Sequence, residues 1–82
     1  MKIKVTDTDI NSGSPGNIRA CPIALAIRRH LKTRKEILVG RTTAWVGSRQ
    51  QFVLDRRGQN FVRCFDSDKS VRPCTVTLTE VN

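Results

Sequence analysis

Residues 21–32 read CPIALAIRRHLK, and this stretch decides how the rest of the chain is arranged. Pro22 suits the first helical position, because its missing N–H would have no intrahelical partner there, and Cys21 then takes the cap. Ile23, Ile27 and Leu31 recur at i, i+4 and i+8, with Ala20, Ala24 and Ala26 as small neighbours, so one stripe can face a core. Arg28, Arg29 and Lys32 crowd the far end, where cations suit the negative end of the helix dipole. The spacing predicts a helix that stops near Thr33.

On either side the pattern turns to strands. Residues 2–6 alternate, with Ile3 and Val5 on one face and Lys2, Lys4 and Thr6 on the other. Residues 7–18 are polar and hold Gly13, Pro15 and Gly16, so they read as an ordered loop. Ile37 to Val46 reads as a strand interrupted at Gly40, where glycine marks a bulge or else splits the segment into two short strands. Gly47-Ser48 makes a hairpin turn, and Gln51 to Leu54 pairs back with Phe52 and Leu54 on one face. Asp55 suits a helix cap. Leu54, Gly58, Phe61, Val62 and Phe65 then fall at helical spacing, which predicts a second helix from Arg56 to Phe65, weakened by Gly58 and ended by Asp66-Ser67-Asp68. Cys74, Val76 and Leu78 alternate with three threonines in a last strand, with Pro73 at its start. The expected fold is α+β in the order β-α-β-β-α-β. It is a small antiparallel or mixed four-stranded sheet with two helices on one face, in the ferredoxin-like arrangement.

The 82 residues suit one domain spanning 1–82. A chain of this size buries only about 60–65% of the surface it exposes when unfolded. Ile23 to Ile27 is the longest apolar block, far short of a membrane span, and Met1 to Thr6 lacks the apolar stretch of a signal peptide. A cytoplasmic protein is expected, with no membrane partner. Cys21, Cys64 and Cys74 are odd in number and lack the spacing of a zinc site, so Cys64 and Cys74 read as small buried hydrophobes.

Little in the chain points to catalysis. His30 is the only histidine and has no acid on its own helix to orient it. Asp66 and Asp68 are explained by a helix-ending turn. Gly13-Ser14-Pro15-Gly16 lacks the Gly-Lys-Ser/Thr of a phosphate loop, and Pro15 removes one donor. Cys21 is the sharper candidate, since a helix start and the nearby Arg19 would lower a thiol pKa, but a reactive role needs exposure, and capping or packing is the expected role. The expectation is a non-enzyme without cofactor or metal.

Charge is the stronger lead. The formal net charge is +8, and Arg outnumbers Lys ten to five. Arg19, Arg28, Arg29, Lys32, Arg34, Lys35 and Arg41 face only Glu36 within residues 19–41. Such a concentration favours an acidic partner, and guanidinium groups grip phosphates and carboxylates bidentately. The candidate binding residues are Arg28, Arg29, Lys32, Arg34 and Lys35 around the first helix end, with Arg41 and Arg49 extending them across the hairpin. Arg56, Arg57 and Arg63 form a second group on the second helix. Direct contact with DNA or RNA would use the same charges on phosphates, but a sheet that reads single strands also stacks bases on aromatics. Phe52, Phe61 and Phe65 are needed in the core, which leaves Trp45 as the one candidate platform. Replacing Arg28, Arg29 and Lys32 by Ala is expected to leave the fold unchanged, since exposed charges contribute little to stability.

Asn11 to Ala26, N-S-G-S-P-G-N-I-R-A-C-P-I-A-L-A, resembles a group of short bacteriophage proteins that share a Gly-containing loop, a C-P-I-A-x-A helix start and a later F-[VI]-x-x-F-D helix. The later signature is Phe61-Val62-Arg63-Cys64-Phe65-Asp66 here, followed by the β-rich tail Val71 to Leu78. The resemblance spans nearly the whole chain and brings no catalytic residues with it. It implies a phage protein acting in the bacterial host cytoplasm. Small phage proteins often bind host machinery, so it also implies an inhibitor of a host nucleic-acid-processing or defence complex, the anti-CRISPR class among them. A stand-alone module that contacts nucleic-acid phosphates is the alternative.

Overall fold

Along five strands buried positions alternate with more exposed ones, and that alternation fixes which way the sheet faces. A computed structural model describes residues 1–81. The elements are β1 (Lys2–Val5), α1 (Asp7–Ser12), α2 (Pro22–Leu31), β2 (Ile37–Val39), β3 (Thr43–Val46), β4 (Gln50–Leu54), α3 (Arg56–Asp66) and β5 (Cys74–Glu80). The class is α+β, with three helices and one antiparallel sheet in the order β1-β5-β4-β3-β2.

Ile3, Val5, Val76, Leu78, Leu54, Phe52, Ala44, Val46, Ile37 and Val39 all point to one face and are buried. The register agrees, pairing Ile3 with Val76, Leu54 with Leu78, Ala44 with Phe52 and Ile37 with Val46. Against this face α2 contributes Ile23, Ala24, Ala26 and Ile27, and α3 contributes Phe61, Val62 and Phe65. The Phe61 and Phe65 rings stack with centroids 6.1 Å apart. The core stripe of α2 stops at Ile27, and Leu31 is exposed rather than buried.

Helix α2 touches both β1 and β2, the two edge strands, so the sheet curls around it. The same region covers the edges, whose free backbone groups would otherwise recruit another strand. Arg29 Nη2 donates to the Lys4 carbonyl on β1 at 2.7 Å, and the Val39 N–H on β2 donates to the Ile18 carbonyl at 2.9 Å.

Two expectations are corrected, and the choice left open at Gly40 is decided. The polar segment after β1 is not all loop. Thr6 caps α1 by accepting from the Asp9 N–H at 3.3 Å, and Asp9 returns the bond by accepting from the Thr6 N–H at 2.9 Å. Gly40 is not a bulge. Its N–H donates to the Thr43 carbonyl at 2.8 Å, which closes a turn and divides the strand into β2 and β3. The sheet is not ferredoxin-like, because β1 and β2 lie at opposite edges and all pairings are antiparallel. Both larger helices do pack on one face, with α1 lying against α2.

Candidate binding surface

The few acids of this chain are largely engaged by its own fold. Among the described residues Asp9 is the only buried charged one, and its Oδ1 accepts from Arg29 Nη1 at 2.5 Å. Burial favours its neutral form, but the Arg29 guanidinium and the Thr6 N–H and hydroxyl favour the anion more, and its carboxyl is held below the usual range. Glu36 pairs with Arg19 at 3.0 Å. Asp55 caps α3 with Oδ1 on the Gly58 N–H at 2.8 Å, while its Oδ2 accepts from the Thr77 N–H at 3.1 Å. Asp66 accepts from the Gly16 N–H at 3.0 Å. Among the described residues Arg19 and Arg29 are the only cations within ion-pair distance of a carboxylate.

The cations therefore remain on the surface, but not as one continuous face around α2. Arg28 Nη1 approaches the Lys35 carbonyl at 3.4 Å, and the Lys35 N–H is held by Thr33 Oγ1 at 3.1 Å. The Lys35 stem lies against Gly47 in the β3–β4 turn, so a Cβ on Gly47 would stand 3.2 Å from Lys35 Cδ. Lys35 and Arg49 thus line one shallow depression of about 390 Å³. Lys32 and Arg34 are exposed beside this group in sequence. Arg29 is not part of it, because its guanidinium spans Asp9 and the Lys4 carbonyl.

The remaining candidates divide in two. Arg41 does not extend the α2 group. It meets Arg63 of α3 instead, across a depression that also holds Gln59, Thr42, Ser67 and Asp66. Arg56 and Arg57 meet Lys2, Asn60, Thr75 and Thr77 in a wider groove of about 710 Å³. Trp45 lies on the outer sheet face, 41% exposed, and lines neither depression. Lys2 and the β5 threonines were not among the sequence candidates. The alternation of β1, which turns Lys2 and Lys4 away from Ile3 and Val5, was the signal that could have found them.

Cys21 packs into the core rather than standing as a reactive thiol. Burial pushes its thiol up, outweighing the N–H groups of Ile23 and Ala24 at the helix start. Cys64 and Cys74 are half-buried rather than buried, and all three cysteines are free. His30 is exposed in the last turn of α2. Among the described residues no three of His, Cys, Asp or Glu come together as a metal site, and no helix is long and apolar enough to cross a membrane. No family model, curated protein or solved structure matches the chain.

Proposed function

We propose that this protein acts by binding rather than by catalysis, setting an Arg-rich surface against an acidic partner. The observation that supports this is the unequal use of charge. The chain carries fifteen Lys and Arg against seven Asp and Glu, and four of those acids are already bonded within the fold. The group formed by Arg28, Lys35 and Arg49 is the contact surface, flanked by Lys32 and Arg34. Its partner is an acidic protein face within a host nucleic-acid-processing or defence complex, which is the role that the resemblance to short phage proteins implies. The protein blocks that complex by occupying the face, inside the bacterial cytoplasm, and needs no cofactor to do so.

The test is a variant with Arg28, Lys35 and Arg49 all replaced by Ala. Expression of the native chain in a bacterial strain carrying a phage-defence complex should raise plaque counts, and the variant should not. The variant's melting temperature should match the native one, because these side chains are exposed, have no carboxylate partner among the described residues, and share only Arg28's long contact to the Lys35 carbonyl. Unchanged protection by the variant would remove this group as the contact surface.

A further inference from the structure

Outward-facing residues of the sheet carry no helix. Leu38, Trp45 and Gln51 form one cross-strand row, Val53 and Thr79 the next, and Thr77 with Lys2 a third. Trp45, Val53 and Val81 are exposed, although they are large and apolar. Beyond Thr77 this face runs into the groove that holds Lys2, Arg56, Arg57, Asn60 and Thr75. With strands about 4.8 Å apart and a rise of about 3.3 Å per residue, Trp45 and Lys2 are separated by roughly 20 Å.

We infer that this face binds single-stranded nucleic acid, with a base stacked on Trp45 and the phosphate chain led along Lys2, Arg56 and Arg57. The charge pattern selects that occupant. The groove presents guanidinium, ammonium, amide and hydroxyl donors, and its one acid, Asp55, has both oxygens committed to the Gly58 and Thr77 N–H groups. A surface of donors on the same face as one exposed aromatic complements a chain of phosphates and bases. A second copy of the chain is repelled by its own net charge of +8. The inference rests on the binding reading above but uses different residues, so it adds a nucleic-acid contact to a protein that docks on a nucleoprotein complex.

The chain has one Trp and no Tyr, so its fluorescence reports on this face directly. Titration with oligo(dT) at low salt should quench Trp45 saturably, and a duplex of similar length should bind more weakly without quenching. With a fluorescein-labelled strand followed by anisotropy, Trp45→Ala should bind about tenfold more weakly. A variant with Lys2, Arg56 and Arg57 replaced by Ala should lower the slope of log affinity against log salt by about 2, the counterions of three phosphates. Both variants should melt with the native protein. The Arg28, Lys35 and Arg49 variant should still be quenched. If it loses binding while Trp45→Ala keeps it, the strand lies on the other surface and this inference fails while the docking surface stands. Binding without quenching, equal binding of the duplex, equal binding of polyglutamate, or no binding at low salt would each overturn it.

Discussion

Asp9 shows how one buried carboxylate changes the reading of a cation. Arg29 sits among Arg28, His30 and Lys32 in sequence and looks like one more surface charge. Its guanidinium instead bridges Asp9 and the β1 backbone, tying α2 to α1 and to the sheet edge. The expected neutrality of replacing it therefore fails. Arg29→Ala should lower the melting temperature, whereas Arg28→Ala should not, since Arg28 has only a long contact to a carbonyl. The depressed Asp9 carboxyl also sets a direction with pH. Its stabilisation is complete above the unfolded value of about 3.9 and is lost as pH falls through the lower folded value. Thermal unfolding followed from neutral pH downwards should therefore lose more stability below about pH 4 in the native chain than in Asp9→Asn. The partnership was hidden in the sequence because its acid lies in a segment that reads as loop. A local signal did exist: Thr6 with an acid three residues on is a capping pair, and it marks the start of α1.

Glycines at close approach set the geometry of the elements. By propensity Gly58 weakens α3 by about 1 kcal/mol relative to Ala. The packing argues the reverse. A Cβ there would stand 2.6 Å from Val76 Cγ1 and 3.3 Å from Leu54 Cβ, both buried side chains with no free space to yield. Gly58→Ala should thus destabilise by about 1–3 kcal/mol despite the better helix former, and urea unfolding measures it. Gly13 has the same role at α2, where a Cβ would fall 2.7 Å from the Pro22 ring. That contact joins the Gly-containing loop to the Cys21-Pro22 helix start. Most elements were legible for local reasons: Pro22 and Asp55 start helices, the β5 alternation is unbroken, and Asp68 at φ 59 ends α3. The turn at Gly40 was not, because a glycine between apolar runs suits a bulge and a hairpin equally, and only the Thr43 carbonyl decides between them.

Across the whole molecule, α2 is enclosed by the sheet it fastens. Ile27 is fully buried in the core, in the helix that meets both edge strands, β1 and β2. Ile27→Ala should cost about 2–5 kcal/mol, a large part of the stability of a domain this small, and should appear as a lower midpoint in chemical unfolding. Strand order was beyond the sequence for a physical reason. Alternation says which side chains face inward but not which strands are neighbours, and β1 meets β5 across almost the full chain length. The split of the basic residues was hidden for the same reason, since Arg41 meets Arg63, and Lys2 meets Arg57, only through that order.

The β1–β5 pairing also bears on synthesis. A ribosome delivers Lys2 long before Thr77, so the groove between them stays unbuilt until β5 has emerged. The turn that gathers Lys35 and Arg49 emerges well before it. A chain cut short after α3 would keep the cationic turn in its sequence but lose the strand that both completes the sheet and forms the groove wall.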